Sequence, residues 1–499
     1  MSATTSRTRP QSRSGSAPGS RPGARPRPRR PPEPVRLIGP GRNALEGAAA
    51  VLCAVAAMTV VSAGALGLLH AGSVGSLWSL TAMVTAMAVG GSVTGGSSTS
   101  GGAGATGGLD SLLGGTGGGL GPSLSATADG VPLTVTLVGA VALWIAFSRR
   151  LRRANRVRFT AGELAVRAAG AGAAAFVLFL ILAGLAHGSA VLPESTTSRL
   201  AGVGGNANST GLGSFLGGGG MSARPVLTYR VNAMSAGFGA VLWVAVALGV
   251  GFLISRRARL PLGGTLDGLR SGWGRSLSAI VRTGLVCAAV PLVCLVFVGA
   301  AVGGRVGTAA GAALLLVPNA LAVFGTLGVG ASWTAAMHPV RHESSSPLAS
   351  LLGGLGGADA GQRPDRVEHL RSWSVGGLPL WLALLVITGL VLLGCAWRAA
   401  RATKAAHRKP LHDYRGPLAQ HLGMAERFGV LTAVVLGAAV WAAGLSGRFG
   451  ISLFGSEMGG THAEFQCGVL WPIVFGLLLG SLTGLGGSLL CAELERRRR

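Results

Sequence analysis

The residues best suited to chemistry in this 499-residue chain lie in outer loops and at two interruptions of apolar text. His338 and His342 stand four apart, with Glu343 adjacent. On a helix that spacing puts two imidazoles on one face, as metal ligation needs. The pattern is not HExxH, and Pro339 with the Ser344–Pro347 run argues for a loop, so no metal is assigned. His462 with Glu457 and Glu464 repeats the ligand types without a helical frame. No nucleophile elbow, Walker lysine or triad spacing is present, and no catalytic residue or cofactor is expected.

The first interruption is Pro318-Asn319, inside the uncharged stretch Gly307 to Trp333. As one helix that stretch would run about 40 Å, more than the roughly 30 Å of a bilayer core. Pro318 lacks a backbone donor and crowds the preceding turn, so a break is expected there. Asn319 then either satisfies freed backbone groups or faces a substrate. The second interruption, Gly90, Gly91 and Ser92, ends the short apolar stretch Ser76 to Gly91. It offers either bare backbone to a ligand or close packing to a neighbour. Both stretches read as re-entrant or interfacial segments, the longer one as a hairpin tipped at Pro318-Asn319.

Composition says what must hold these residues. Charged residues make up 12% of the chain, hydrophobic residues 49%, and the mean hydropathy is +0.53. Soluble domains carry about 25% charged residues. An all-α polytopic membrane bundle is therefore expected, with eight full spans: Ala48 to Leu69, Val131 to Phe147, Ala168 to Ala186, Ala236 to Ile254, Thr283 to Gly303, Leu378 to Trp397, Phe428 to Ser446 and Gly468 to Cys491. Of 43 basic residues, 34 fall on the side of the chain termini and nine on the other, while the 17 acids split eight to nine. That is the positive-inside bias, and it puts both termini in the cytoplasm of a cell-membrane protein. The net charge of +26 thus records topology, and no specific nucleic acid is expected as a partner.

Span interiors lack Asp, Glu, Lys, Arg and His, which weighs against proton-coupled transport. Cys53, Cys287, Cys294, Cys395 and Cys491 fall within apolar text and Cys467 just outside it, with no CxxC spacing. Small residues at Gly476, Gly480 and Gly484 allow close helix approach, within the chain or in a homo-oligomer.

The domain reading follows these landmarks. Residues 1–44 form an Arg/Pro-rich disordered tail, either a solvated orienting tail or a ligand for anionic lipid headgroups. Residues 45–261 form a first four-span half, with a flexible external Gly/Ser linker at 92–130. A cytoplasmic linker at 262–281 leads to a second half, 282–499. The halves follow one plan of exit, dip, return, exit, Gly-rich outer loop and return. This is a parallel repeat, or a likeness of Gly/Ala-rich composition.

Met87 to Ser92 (MAVGGS), VPLTVTLVGA from Val131, LLVPNALAVFGTLGVGASW from Leu315, GISLFG from Gly450 and Leu470-Trp471 resemble the streptophobe family. Its members are very hydrophobic membrane proteins of high-GC bacteria, and the resemblance runs from about Ala48 to Cys491. It implies a membrane fold, and it carries no activity or catalytic residue over. The function expected is a non-enzymatic scaffold or a facilitator of small-molecule passage; the alternative is a membrane-embedded enzyme using outer-face His and Glu residues.

Overall fold

The computed structural model describes residues 40–98, 123–153, 161–191, 226–255, 264–302, 304–340, 366–375, 377–406, 417–453 and 456–498. The tail to residue 39, most of the Gly/Ser stretch, His342 and Glu343 lie outside them. The described helices are α1 (Pro40–Leu68), α2 (Leu77–Met87), α3 (Leu133–Arg153), α4 (Ala161–Leu185), α5 (Ala233–Ile254), α6 (Gly264–Val302), α7 (Gly304–Leu327), α8 (Leu380–Ala406), α9 (Pro417–Ala443) and α10 (Leu470–Arg496). Eight of them are long and apolar enough to cross a membrane, and α2 and α3 are shorter apolar helices. The chain is an integral membrane protein built as a helical bundle.

Small residues set how closely these helices approach. A side chain at Gly480 would meet Thr432, and one at Gly484 would meet Phe428 and Ala425, so this stripe seats α10 on α9. A Cβ at Gly487 would lie 2.7 Å from that of Ala396 on α8. The small-residue pattern is thus consumed by packing within the chain. In the first half, Gly47 of α1 and Gly170 of α4 bring two backbones together.

Segments between the helices form strands: β1 (Val93–Ser98), β2 (Ser123–Gly130), β3 (His187–Val191), β4 (Val226–Val231), β5 (Trp333–Val340), β6 (Arg366–His369), β7 (Ser374–Val375), β8 (Leu378–Pro379), β9 (Leu445–Leu453) and β10 (Ser456–Cys467). Eight of them make one antiparallel sheet in the order β3-β4-β1-β2-β9-β10-β5-β6, and β7 pairs with β8. The two-residue period of a strand is visible in β4, where Tyr229 and Val231 are buried while Thr228 and Arg230 are exposed. The expected 92–130 linker thus begins and ends as strands that pair with each other, Val93 opposite Ala128. Residues 264–281, read as a linker, are the first turns of α6.

The sheet order contains the repeat. The first half contributes β3-β4-β1-β2 and the second β9-β10-β5-β6, the same arrangement of equivalent strands, joined where β2 pairs with β9. The turns agree atom for atom. Gly90 and Gly330 both have φ +96°, the left-handed region that glycine enters without strain. Gly91 N donates to Ala86 O and Gly90 N to Met87 O, at 3.0 and 2.9 Å. Ala331 N to Thr326 O and Gly330 N to Leu327 O, both 3.0 Å, reproduce them. Each set is a Schellman stop, which ends a helix and turns the chain into β1 or β5.

That turn corrects the expected hairpin. The helix runs without interruption from Gly304 to Leu327 through Pro318, and the chain reverses at Gly328–Gly330. Proline removes only the bond to the Leu314 carbonyl. Among apolar neighbours, opening the remaining ladder would leave far more backbone unsatisfied.

Candidate functional site

Asn319 is 5% exposed and faces the start of α3. Its Oδ1 accepts from Leu133 N at 3.0 Å, and its Nδ2 donates to Val131 O at 2.8 Å. Leu133 N is one of the donors a helix N-terminus leaves without an internal acceptor. One turn earlier, Thr134 Oγ1 donates to Leu315 O at 3.3 Å. Three contacts therefore fasten the middle of α7 to the β2–α3 junction of the first half. Of the two roles open to Asn319, backbone capping is the one its bonds describe, and the groups capped belong to another helix.

Gly90, Gly91 and Ser92 occupy the equivalent of Gly330, Ala331 and Ser332. A Cβ on Gly91 would sit 3.1 Å from Val231 Cγ1, so close packing is what this glycine permits. Ser92 N donates to Ser235 Oγ at 3.2 Å, and Ser92 O accepts from Asn232 N at 2.9 Å. Asn232 caps α5, accepting from Met234 N and Ser235 N. Ala88 O accepts from Thr136 Oγ1 at 2.6 Å, and a Cβ on Gly328 would press on Leu384 O and Thr388. Both turns thus lie against the first two turns of neighbouring helices, beyond the sheet. Trp333, fully buried after the second turn, donates from Nε1 to Thr326 Oγ1 at 2.9 Å and stacks on Phe465 at 4.8 Å.

Between the sheet and these helices lies a cavity of about 710 Å³. Its floor includes Val84 and Met87 of α2 and Leu315, Leu316 and Asn319 of α7; its walls are β2, β9, β10, β5 and β6. Most of the wall is apolar, from the small Ala128, Ala335 and Ala463 to Phe465. Its ionisable lining residues are Asp129, Glu368 and Glu464. The site therefore joins the Pro-Asn segment to strands of the sheet.

The histidines are arranged differently from the expected His338/His342 pair. His338 lies in β5, directly opposite His462 of β10. The helical face that an i, i+4 metal pair would need is therefore absent at His338, where the expected loop is a strand. His462 Nδ1 lies 3.1 Å from Glu464 Oε1, and Glu464 also accepts from Gln466. Glu457 belongs to β10 as well. Among the described residues no three His, Cys, Asp or Glu side chains come within reach of one metal ion.

One polar centre escaped the span-by-span reading. Arg167 of α4 is 3% exposed, its Nη1 lies 3.5 Å from Glu46 Oε2 of α1, and its guanidinium stands 4.6 Å over the Phe147 ring of α3. Each partner sits one or two residues outside an apolar run, and only the α1–α4 crossing brings them together. Beyond the membrane-spanning helices, burial raises the Cys467 thiol above its usual value, opposed by a hydrogen bond from the backbone at Ser332.

No protein-family model matches this chain, and no curated protein or solved structure is significantly similar to it.

Proposed function

We propose that this chain is a multi-pass protein of the cell membrane that takes up an apolar or amphiphilic small molecule on its outer side. It acts as a non-enzymatic binding protein or facilitator. The observation that carries the reading is the cavity of about 710 Å³ at the junction of the two halves. Its volume lies within the roughly 300–1,000 Å³ of small-molecule sites, and an apolar wall with a few convergent polar groups is their usual make-up.

Topology supports the outer placement. An open sheet bearing Arg230 and Arg448 belongs in water, so its eight strands share one side of the bilayer. The chain leaves the sheet after β4 and rejoins it at β5, which requires an even number of crossings by α5, α6 and α7. With α5 and α6 as crossings, α7 is a dip like α2, and α3 completes eight crossings. Both ends of the chain then lie opposite the sheet, and the 34-to-nine distribution of basic residues makes that face cytoplasmic.

Two measurements test this. Single cysteines replacing Thr127 or Arg448 should react with a membrane-impermeant thiol reagent in intact cells, and one replacing Glu495 should not. The opposite pattern inverts the proposal. In nanodiscs the protein should bind the neutral dye Nile red above the level of empty discs. Ala335→Trp should abolish that excess, while Val60→Trp, on an exposed face of α1, should leave it unchanged. The rival reading, an outer-face enzyme, draws on His338, His462 and Glu464. A deletion phenotype rescued fully by a chain lacking both histidines would remove it.

A further inference from the structure

We infer that a groove between α4 and α5, separate from the cavity under the sheet, holds one acyl chain of a membrane phospholipid as a bound lipid. The two helices flank β3 and β4 as α9 and α10 flank β9 and β10, so the halves present the same helix pair twice. The second pair is closed: Gly429 of α9 lies against Leu477 and Ser481 of α10, and Gly480 lies against Thr432. The first pair is open. Between its helices is a space of about 580 Å³, lined by Ala, Gly, Val, Leu and Phe alone. A Cβ on Gly172 or Gly249, which line it, would meet no neighbour within 4 Å among the described residues.

The sequence accounts for the difference. Tyr229 and Phe465 hold equivalent places by the registers of β4 on β1 and β10 on β5. Counting on from them, Val244 and Leu248 of α5 stand where α10 has Gly480 and Gly484. Ala240 and Gly251 are buried as Gly476 and Gly487 are, so the count holds along the helix. Two branched side chains in the groove thus replace the glycines that let α10 close on α9. Phe176, seated against Gly237, and Phe252, edge-on to Trp144 at 5.8 Å, mark the two ends.

The surroundings point to the occupant. Both walls belong to apolar spans, and their flanks Val177, Ile181, Leu242 and Val246 are exposed, so the groove opens onto hydrocarbon. An apolar lining retains no water. From Val241 to Phe252 the groove runs about 16 Å, and a helix of that length and about 10 Å across fills roughly 1,200 Å³. That is about twice the space, so a single flexible chain fits where a partner helix does not. An acyl chain there touches two walls at once, whereas one on an ordinary helix face touches a single wall, so dispersion holds it longer. The groove lies toward the start of α4 and the end of α5, away from the sheet, which by the proposed topology is the cytoplasmic leaflet.

The experiment uses the full chain, purified in mild detergent and weighed by native mass spectrometry. The wild type should retain one phospholipid per chain. Gly172→Phe with Gly249→Leu fills the groove and should cut that retention roughly tenfold, while Gly184→Leu, in open space on α4 beyond the groove, should keep it. A second readout needs no substitution. In phosphatidylcholine nanodiscs doped with an analogue carrying a diazirine in its acyl chain, photolabelling of residues 168–176 and 241–252 should exceed that of α1 around the exposed Val60 roughly fivefold. A wild type that retains no lipid, retention untouched by the double substitution, or even labelling of both faces overturns the inference. A dimer that the double substitution dissolves would give the groove to a second copy and overturn it as well. Each of these outcomes leaves the reading of the outer cavity standing.

Discussion

Replacing Asn319 by leucine tests whether α7 is fastened to the first half as its bonds indicate. Leucine keeps the branch at Cγ and favours a helix more than asparagine does, but it removes both bonds, leaving Leu133 N and Val131 O without the amide. Two fully dry backbone groups would cost about 2–6 kcal/mol. Val131 and Leu133 are only half-buried, and Val131 lines the cavity, so water replaces part of the loss. A cost of about 2 kcal/mol is therefore expected. The companion change, Pro318→Ala, restores a donor to the Leu314 carbonyl within a continuous helix, so it should be neutral or stabilising. Both are measured by SDS-titrated unfolding in mixed micelles, followed by tryptophan fluorescence. A hairpin tipped at Pro318-Asn319 would reverse the order, because proline would then be the residue that shapes the turn. A wild-type midpoint for Asn319→Leu together with a large loss for Pro318→Ala would refute the continuous-helix account.

Three further outcomes are expected. Gly47→Val should abolish folded protein on size-exclusion chromatography, since its Cβ would collide with Arg167 O and lie 2.9 Å from Ala171 N. Gly64→Val in the same helix, with open space around it, should be silent. Glu46→Gln and Arg167→Met should each cost about 3 kcal/mol by removing one charge of a largely buried pair, while the double variant should cost less than the two singles combined, read from the same unfolding assay. With Cys467 the only cysteine left, labelling by a water-soluble maleimide should require higher pH than a free thiol, which ionises near 8.5. Burial raises this thiol and the Ser332 backbone bond only partly opposes it, so the pH–rate curve is displaced upward; coincidence with the free thiol would contradict that.

What could be read from the sequence divides by the physics that decides each feature. Long apolar runs and the skew of arginine report the surroundings of each segment directly, and the helices of the bundle appear where those runs stand. Strands such as β1 (VTGGSS) and β9 (LSGRFGISL) carry little intrinsic strand preference. They are extended because both neighbours in the sheet offer a ladder, and one neighbour of each lies far away in sequence, as Arg230 does from Thr94 and Thr127 from Arg448. The Glu46–Arg167 pair was hidden for the same reason: each residue looks like the polar start of a helix until the α1–α4 crossing buries it. At Pro318 the local rule was sound for an isolated helix and lost to the cost of opening backbone among apolar neighbours.

The repeat explains why the polar side chain at position 319 reaches across to the other half. Counting back from Gly330 to Gly90, the position equivalent to Asn319 is Ser79, the third residue of α2. Ser79 keeps its contact within its own half: its hydroxyl lies 2.6 Å from Tyr229 Oη of β4. The residue equivalent to Tyr229, by the registers of β4 on β1 and β10 on β5, is Phe465, which has no hydroxyl and stacks instead on Trp333. A polar side chain at position 319 thus finds no such partner in its own half. Two features let it look elsewhere. The helix that carries it has 24 residues where α2 has 11, which takes it up beside the first half. An asparagine amide can also accept from and donate to a backbone at once, which a serine hydroxyl does less firmly. The two halves differ at this polar pair, and Asn319 lies at the floor of the cavity, between them.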